Sequence, residues 1–259
     1  MSGSIPFDRA AEYYDVTRGL SAEGVVRTTA ALSEALGDAA PVLEIGVGTG
    51  QVAIPLREAG LDVVGLDLSR PMLERLRNKT DGGVSVPVVE GDATLMPFRD
   101  ETFGGAYVRW VLHLIQDWRR VVHETARVVR SGGRFLVSLG SYGGAQAEIQ
   151  ARFAAVTGVP NHPVGLAWDG WHQLDETVTG LGGEKLPDVT FADRDRDDLE
   201  HFLRGIEANR YSWTWAVTDD AARMEAAADV RAWAEERWGP LDRVPRATVD
   251  WRYAVYRLP

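Results

Sequence analysis

The run Glu44-Ile45-Gly46-Val47-Gly48-Thr49-Gly50 constrains this chain more than any other stretch. It follows the apolar pair Val42-Leu43 and precedes a segment with helical character, giving strand, glycine turn and helix in succession. Glycine has no Cβ, so such a turn can adopt positive φ and let a ligand approach the backbone. The spacing is G-x-G-x-G, and Gln51 stands where a third glycine would complete G-x-G-x-x-G. Glu44 closes the strand just before the first glycine. A carboxylate there repels a pyrophosphate, because phosphate sites rely on backbone N–H groups and positive potential. A ligand with cationic centres is attracted instead.

Five apolar, β-branched stretches, at 42–45, 63–66, 86–89, 106–108 and 135–139, alternate with helical segments. Such alternation predicts βαβ units and a parallel sheet covered on both faces. In 118–129, Trp118, Val121, Val122, Ala126 and Val129 share one helical face, and Ser131-Gly132-Gly133 reads as the helix end. A second helix is expected over 221–238, with Ala227, Val230, Trp233, Ala234 and Trp238 as its buried stripe and Gly239-Pro240 as its stop. After residue 139 the alternation lapses, and 142–178 reads as an insertion between the fifth and sixth strands. The sixth strand is expected near 189–191. The seventh is expected over 248–256, where Val249, Trp251, Tyr253 and Val255 recur with period two.

Asp67 ends the second strand, 21 residues after Gly46. An acidic residue at that distance is placed to accept hydrogen bonds from ribose hydroxyls; the alternative is a cap for the helix beginning near Ser69-Arg70-Pro71. Asp92 follows the third strand in Glu90-Gly91-Asp92-Ala93, where ligands of open α/β sheets bind. Its carboxylate could accept from an adenine amine while the Ala93 N–H donates to the ring; otherwise Asp92 is a turn residue. Glu44, Asp67 and Asp92 at successive strand ends are expected to converge on one cavity.

Together these residues resemble the small-molecule branch of class I S-adenosylmethionine-dependent methyltransferases, the UbiE/Methyltransf_11-like group. The resemblance runs from Phe7 to about Leu139. It includes Phe7-Asp8-Arg9-Ala10-Ala11-Glu12-Tyr13-Tyr14-Asp15 with Arg18, Met96-Pro97-Phe98-Arg99-Asp100-Glu101-Thr102-Phe103, Val111-Leu112-His113, and Arg127-Val128-Val129-Arg130-Ser131-Gly132-Gly133. Gly104 stands where that group commonly has Asp, Leu114 where a second His is frequent, and Ser131 where Pro is frequent.

The resemblance implies an α/β fold: a Rossmann-like, seven-stranded, mostly parallel sheet with helices on both faces and a helical cap inserted after strand five. One domain over 1–259 would carry N-terminal lid helices (1–36), the inserted cap (142–178) and a further helical cover (193–240). The implied cofactor is S-adenosylmethionine, and the implied reaction is in-line methyl transfer to a small molecule; the alternative is a non-catalytic S-adenosylmethionine-binding module. Gly46, Gly48, Thr49 and Gly50 would carry the cofactor with Glu44, Asp67, Asp92 and Ala93. Leu68 and Met72 would wall the adenine, Tyr14 and Arg18 would close over the methionine end with Arg18 facing its carboxylate, and Arg109 would approach that end through its backbone. His113 is the candidate at the reacting face, as a base or as a hydrogen-bonded structural histidine. Tyr211, Trp213 and Trp215 alternate, so an extended segment would place them on one face, and Trp213 and Trp215 are candidates for the substrate pocket.

Composition closes off other classes. The formal net charge is −10 and there are no cysteines, so nucleic acid is a poor partner and disulfides are excluded. The histidines His123, His162, His172 and His201 lack metal-ligand spacing, and no metal is expected. No apolar run approaches a membrane span and no secretory leader is evident, so a cytoplasmic monomer or homodimer acting on a small molecule is expected.

Overall fold

A computed structural model describes residues 4–18, 20–140, 143–159, 164–194, 198–246 and 248–259. Seven strands form one sheet in the order β3-β2-β1-β4-β5-β7-β6. The strands are β1 (Val42–Ile45), β2 (Val63–Asp67), β3 (Val88–Glu90), β4 (Phe103–Arg109), β5 (Val129–Ser138), β6 (Glu184–Arg194) and β7 (Thr248–Arg257). The first five are parallel, and β7 runs antiparallel to both β5 and β6. Chain order reverses between β1 and β4, so the carboxyl ends of these two strands flank a topological switch point.

The helices are α1 (Tyr14–Arg18), α2 (Ala22–Leu36), α3 (Ala53–Glu58), α4 (Arg70–Lys79), α5 (Trp118–Val128), α6 (Gly144–Thr157), α7 (Trp171–Gly180), α8 (Leu199–Glu207) and α9 (Asp220–Trp238). On one face of the sheet α2, α3 and α4 bury Leu32, Leu36, Leu56, Leu73 and Leu76. On the other, α5 and α7 bury Trp118, Val121, Val122, Leu174 and Val178. Each such side chain contributes roughly 1.5–3 kcal/mol by leaving water. The segment 142–178 is therefore divided: α7 joins the sheet, whereas α6 packs with α8 and α9 around Phe153, Phe202, Ile206 and Val230.

The end of α5 differs from the sequence expectation. The helix stops at Val128, and Val129 already pairs with Phe103 of β4. Pairing resumes at Gly105 with Arg134, so the intervening residues bulge out of the strand. Ser131-Gly132-Gly133 is that bulge and not a helix terminator. A Cβ on Gly133 would lie 2.6 Å from the Gly104 carbonyl oxygen, and one on Gly104 would lie 2.8 Å from the Ala40 nitrogen. That crowding explains why Gly104 has no side chain.

Candidate active site

The glycine turn crosses the carboxyl ends of β1 and β2. Gly46 donates to the Leu66 carbonyl at 2.7 Å and adopts φ +73°, with Val111 so close that a Cβ would sit 2.3 Å from its Cγ2. Gly48, at φ +53°, is different: a Cβ there would meet only Met72 and Tyr14, at 3.7 and 3.9 Å. The Gly48 N–H donates to Asp67 Oδ2 at 2.7 Å, and the Ser69 N–H donates to Asp67 Oδ1 at 2.8 Å. Two backbone donors thus fix the carboxylate while each oxygen keeps a lone pair. Burial raises the Asp67 pKa, opposed by the backbone N–H groups of Ser69, Gly48 and Leu68. The cap of α4 is Ser69, whose oxygen accepts from the Met72 N–H.

These residues line a cavity of about 370 Å³. Gly46, Gly48, Asp67, Leu68, Met72, Asp92 and Ala93 form one half of its wall. Leu68 is 40% exposed there, an apolar side chain open to the cavity. Asp92 Oδ1 accepts from the Thr94 N–H and hydroxyl at 2.9 and 2.8 Å, so it is both a turn residue and a wall residue. Tyr14 and Arg18 of α1 close over this half, joined by residues 4–7. The α1 helix is pinned by Asp15, which accepts from the Thr49 hydroxyl at 2.6 Å and pairs with Lys79 at 2.7 Å. Burial alone would raise the Asp15 pKa, but the Lys79 and Thr49 contacts hold it below the usual range.

The other half is aromatic. Trp110 follows β4 in a left-handed conformation, φ +59°, and stacks on Trp251 of β7 at 5.3 Å. His113 packs against Trp168 at 4.1 Å, in a loop that Gly165 and Leu166 fasten to the His113 and Leu112 carbonyls. Burial, and then the Arg18 charge, depress the His113 pKa to about 3, so the ring is neutral. Its Nδ1 has no hydrogen-bond partner among the described residues. Gln146, Gln150, Phe202, Tyr211 and Trp213 complete the wall.

Five sequence candidates lie off the cavity. Glu44 is buried behind it, 4% exposed, accepting from the Tyr107 hydroxyl at 2.7 Å. Burial pushes its carboxyl up to about 8, against the lowering effects of Tyr107 and Arg109. Only two of the three expected carboxylates therefore face the cavity, because the side chains of β1, a central strand, are buried on both faces. Thr49 turns to Asp15, and Gly50 faces Leu76. The Arg109 guanidinium lies against Trp110 and Trp251, 3.9 and 5.1 Å from their ring centres. Trp215 leaves the expected row because 212–214 is a 3-10 turn and not an extended segment. It packs on Phe7 at 5.1 Å and donates to the Asn209 carbonyl. Trp213 does line the cavity, stacked on Tyr211 at 5.6 Å. His162 lies outside the described residues, and among those described no three metal-ligating side chains cluster.

Sequence reasoning missed Trp110, Trp168, Trp251, Gln146, Gln150 and the Asp15–Lys79 pair. The expected alternation of Trp251 along β7 was a usable signal for it, and Trp251 pairs with Phe191 of β6. Nothing local marks the others.

Comparison with known proteins fits this geometry. Residues 43–137 match the family model described as a methyltransferase domain, Methyltransf_11. The demethylmenaquinone methyltransferase of Renibacterium salmoninarum is 34% identical over 136 residues, covering 51% of this chain and 56% of that protein. The phosphatidylethanolamine N-methyltransferase of Cereibacter sphaeroides is 39% identical over 127 residues, covering 48% and 61%. The chain thus spans little more than half the length of these curated relatives. The crystal structure of the [4+2]-cyclase SpnF superposes with a TM-score of 0.62 at 19% identity, covering 99% of this chain and 98% of that one, a likeness of fold. Over residues 43–137 the chain is thus similar to the Methyltransf_11 methyltransferase domain, and the relatives named here are methyltransferases.

Proposed function

We propose that the chain binds S-adenosylmethionine in this cavity and transfers its methyl group to a small molecule. The observation that carries the reading is the joint presence of Asp67, Asp92, the open backbone of Gly48 and the exposed Leu68 on one wall at the switch point. Two carboxylates at a glycine turn oppose a phosphate-linked nucleotide and suit an uncharged ribose and adenine with cationic groups beyond. Asp67 accepts the ribose hydroxyls with its free lone pairs. Asp92 and the Ala93 N–H meet the adenine edge, Leu68 and Met72 sandwich its ring, and Tyr14 and Arg18 cover the methionine end. When bound, the cofactor supplies an electrophilic methyl group on sulfonium sulfur. Of the lid expected over 1–36, residues 4–18 cover the cavity while α2 packs on the sheet, and α6, α8 and α9 form the cover over the acceptor half. His113, held neutral, orients an acceptor by a hydrogen bond and is a weak base.

Calorimetry with S-adenosylhomocysteine tests the reading. Binding is expected, with no binding of NAD; the reverse result overturns it. Conversion of S-adenosylmethionine to S-adenosylhomocysteine on addition of a cell extract separates a transferase from the competing reading, a module that binds the cofactor without turning it over.

A further inference from the structure

The turn that follows α8 is a fixed platform. Asn209, at φ +53°, closes the helix in the left-handed region, with the Arg210 N–H on the Gly205 carbonyl at 2.9 Å and the Asn209 N–H on the Ile206 carbonyl at 3.0 Å. The Asn209 side-chain oxygen accepts from the Thr214 hydroxyl at 2.7 Å, and its carbonyl accepts from the Trp215 indole N–H at 3.0 Å. Both bonds fasten the 212–214 turn to the end of α8. The indole edge of Trp215 is thereby tied to the cap, and its ring faces meet a different element.

That element is the N-terminal cover. Phe7 packs on Trp215 at 5.1 Å, and the Arg9 guanidinium lies 4.7 Å from its ring centre. Beside them, cations and rings come from both sides of the seam. Arg18 lies 4.5 Å from the Tyr211 ring centre, and Arg210 lies 5.8 Å from that of Tyr13. All three guanidinium groups are within reach of cation–π attraction. Residues 4–18 therefore hold the cap by ring contacts on one side, while Asp15 ties them to Thr49 and Lys79 on the other. Phe7 also meets Tyr14 edge-on at 6.1 Å, so a row Tyr14–Phe7–Trp215 runs from the cavity wall to the cap. The cap has a core of its own around Phe153, Phe202, Ile206 and Val230, separate from both cores of the sheet. Units with separate cores move relative to each other unless a contact restrains them.

Resting on the proposed cofactor reading, we infer that Trp215 is a positioning residue that joins the two covers, so that a cofactor seated under Tyr14 and Arg18 draws the cap closed over the aromatic half of the cavity. The occupied glycine-turn half fixes Tyr14, and Tyr14 fixes Phe7. Phe7 and Arg9 then fix Trp215, which carries the end of α8 with it. A row of packed side chains that shares one arrangement transmits a restraint in this way. An acceptor meets a formed wall only when the cofactor is already in place.

Amide hydrogen exchange, read by mass spectrometry with and without S-adenosylhomocysteine, tests the coupling, and calorimetry establishes saturation. The ligand is expected to slow exchange in 4–18 and also in α6 and 199–215, there by at least about fivefold, the lower end of ordinary coupling between sites. Trp215→Ala should keep the slowing in 4–18 and lose it in α6 and 199–215. Trp215→Phe, which keeps a ring face for Arg9, should restore most of it. Exchange in α9 without ligand reports whether the cap of the alanine variant is still folded. Where α9 is loosened, Phe7→Ala decides, because Phe7 lies outside the cap: loss of the cap's slowing supports the coupling, and its retention overturns it. The double variant should lose no more than either single one, as expected for two residues acting through one contact. Slowing confined to 4–18 in the parent, or slowing in the cap that survives both variants, overturns the coupling while S-adenosylhomocysteine binding stands. Failure of S-adenosylhomocysteine itself to bind overturns the underlying reading instead.

Discussion

Replacing Glu44 by glutamine reads the electrostatics behind the glycine turn directly. The folded carboxyl is pushed to about 8 from an ordinary 4.5, so between those values the native protein holds a proton that the unfolded chain has lost. Where the native state binds more protons, stability falls as pH rises, at up to about 1.4 kcal/mol per pH unit. Integrating one site with a folded value near 8 from about pH 6.5 to about pH 7.5 gives a loss of about 1 kcal/mol. His113 acts with the opposite sign: its folded value is depressed to about 3, so its contribution is present above 6.5 and lost as pH falls toward 3. That limb is common to both proteins and cancels in the comparison. Glu44→Gln keeps the shape of the neutral acid, and the Tyr107 hydroxyl can rotate to pair with the amide. Urea unfolding of both proteins at the two pH values, read by tryptophan fluorescence, should show the variant gaining about 1 kcal/mol on the parent between them. A stability difference independent of pH would mean that Glu44 is ionised in the fold and that burial does not dominate its environment.

Three further outcomes follow from the same structure. Asp67→Ala should weaken S-adenosylhomocysteine by about 1.5–3 kcal/mol, measured by calorimetry on protein whose circular dichroism is unchanged; intact affinity would remove the ribose assignment. Gly46→Ala should lower the melting temperature far more than Gly60→Ala. Both positions have positive φ, but only at Gly46 would the new methyl strike a packed side chain, 2.3 Å from Val111 Cγ2. Equal losses would show that backbone strain alone matters there. Because His113 is neutral down to about 3, the rate profile between about pH 5 and about pH 8 should carry no limb that His113→Gln removes; a limb near 6.5 present only in the parent would refute its burial as the controlling influence.

The wall at the glycine turn was legible because a contiguous chemistry builds it. Gly46, Gly48, Asp67 and Asp92 each end or follow a parallel strand, so strand order alone brings them to one edge. Glu44 shows the limit of that logic. It lies one residue before the end of β1, where Asp67 ends β2, and that one-residue difference puts its carboxylate among packed side chains with Tyr107. The end of α5 was misplaced for a related reason. Glycines after an amphipathic helix signal a stop, yet strand pairing at Val129 ends the helix first and spends the glycines on a bulge.

The aromatic half has no such sequence signature, since it is assembled from distant positions whose orientation depends on loop conformation. Trp110 faces the cavity only because its backbone is left-handed, and Gly140 makes room for it: a Cβ there would lie 2.7 Å from the indole. Holding a tryptophan in that region costs of order 1–3 kcal/mol, which the stack on Trp251 and the Arg109 guanidinium offset. Strain concentrated at a cavity wall is expected where ligand geometry is being set. The Arg109 guanidinium lies over the rings of both Trp110 and Trp251. The shape of this wall is therefore set by the conformation of one residue after β4, and a sequence shows the tryptophan without showing where it points.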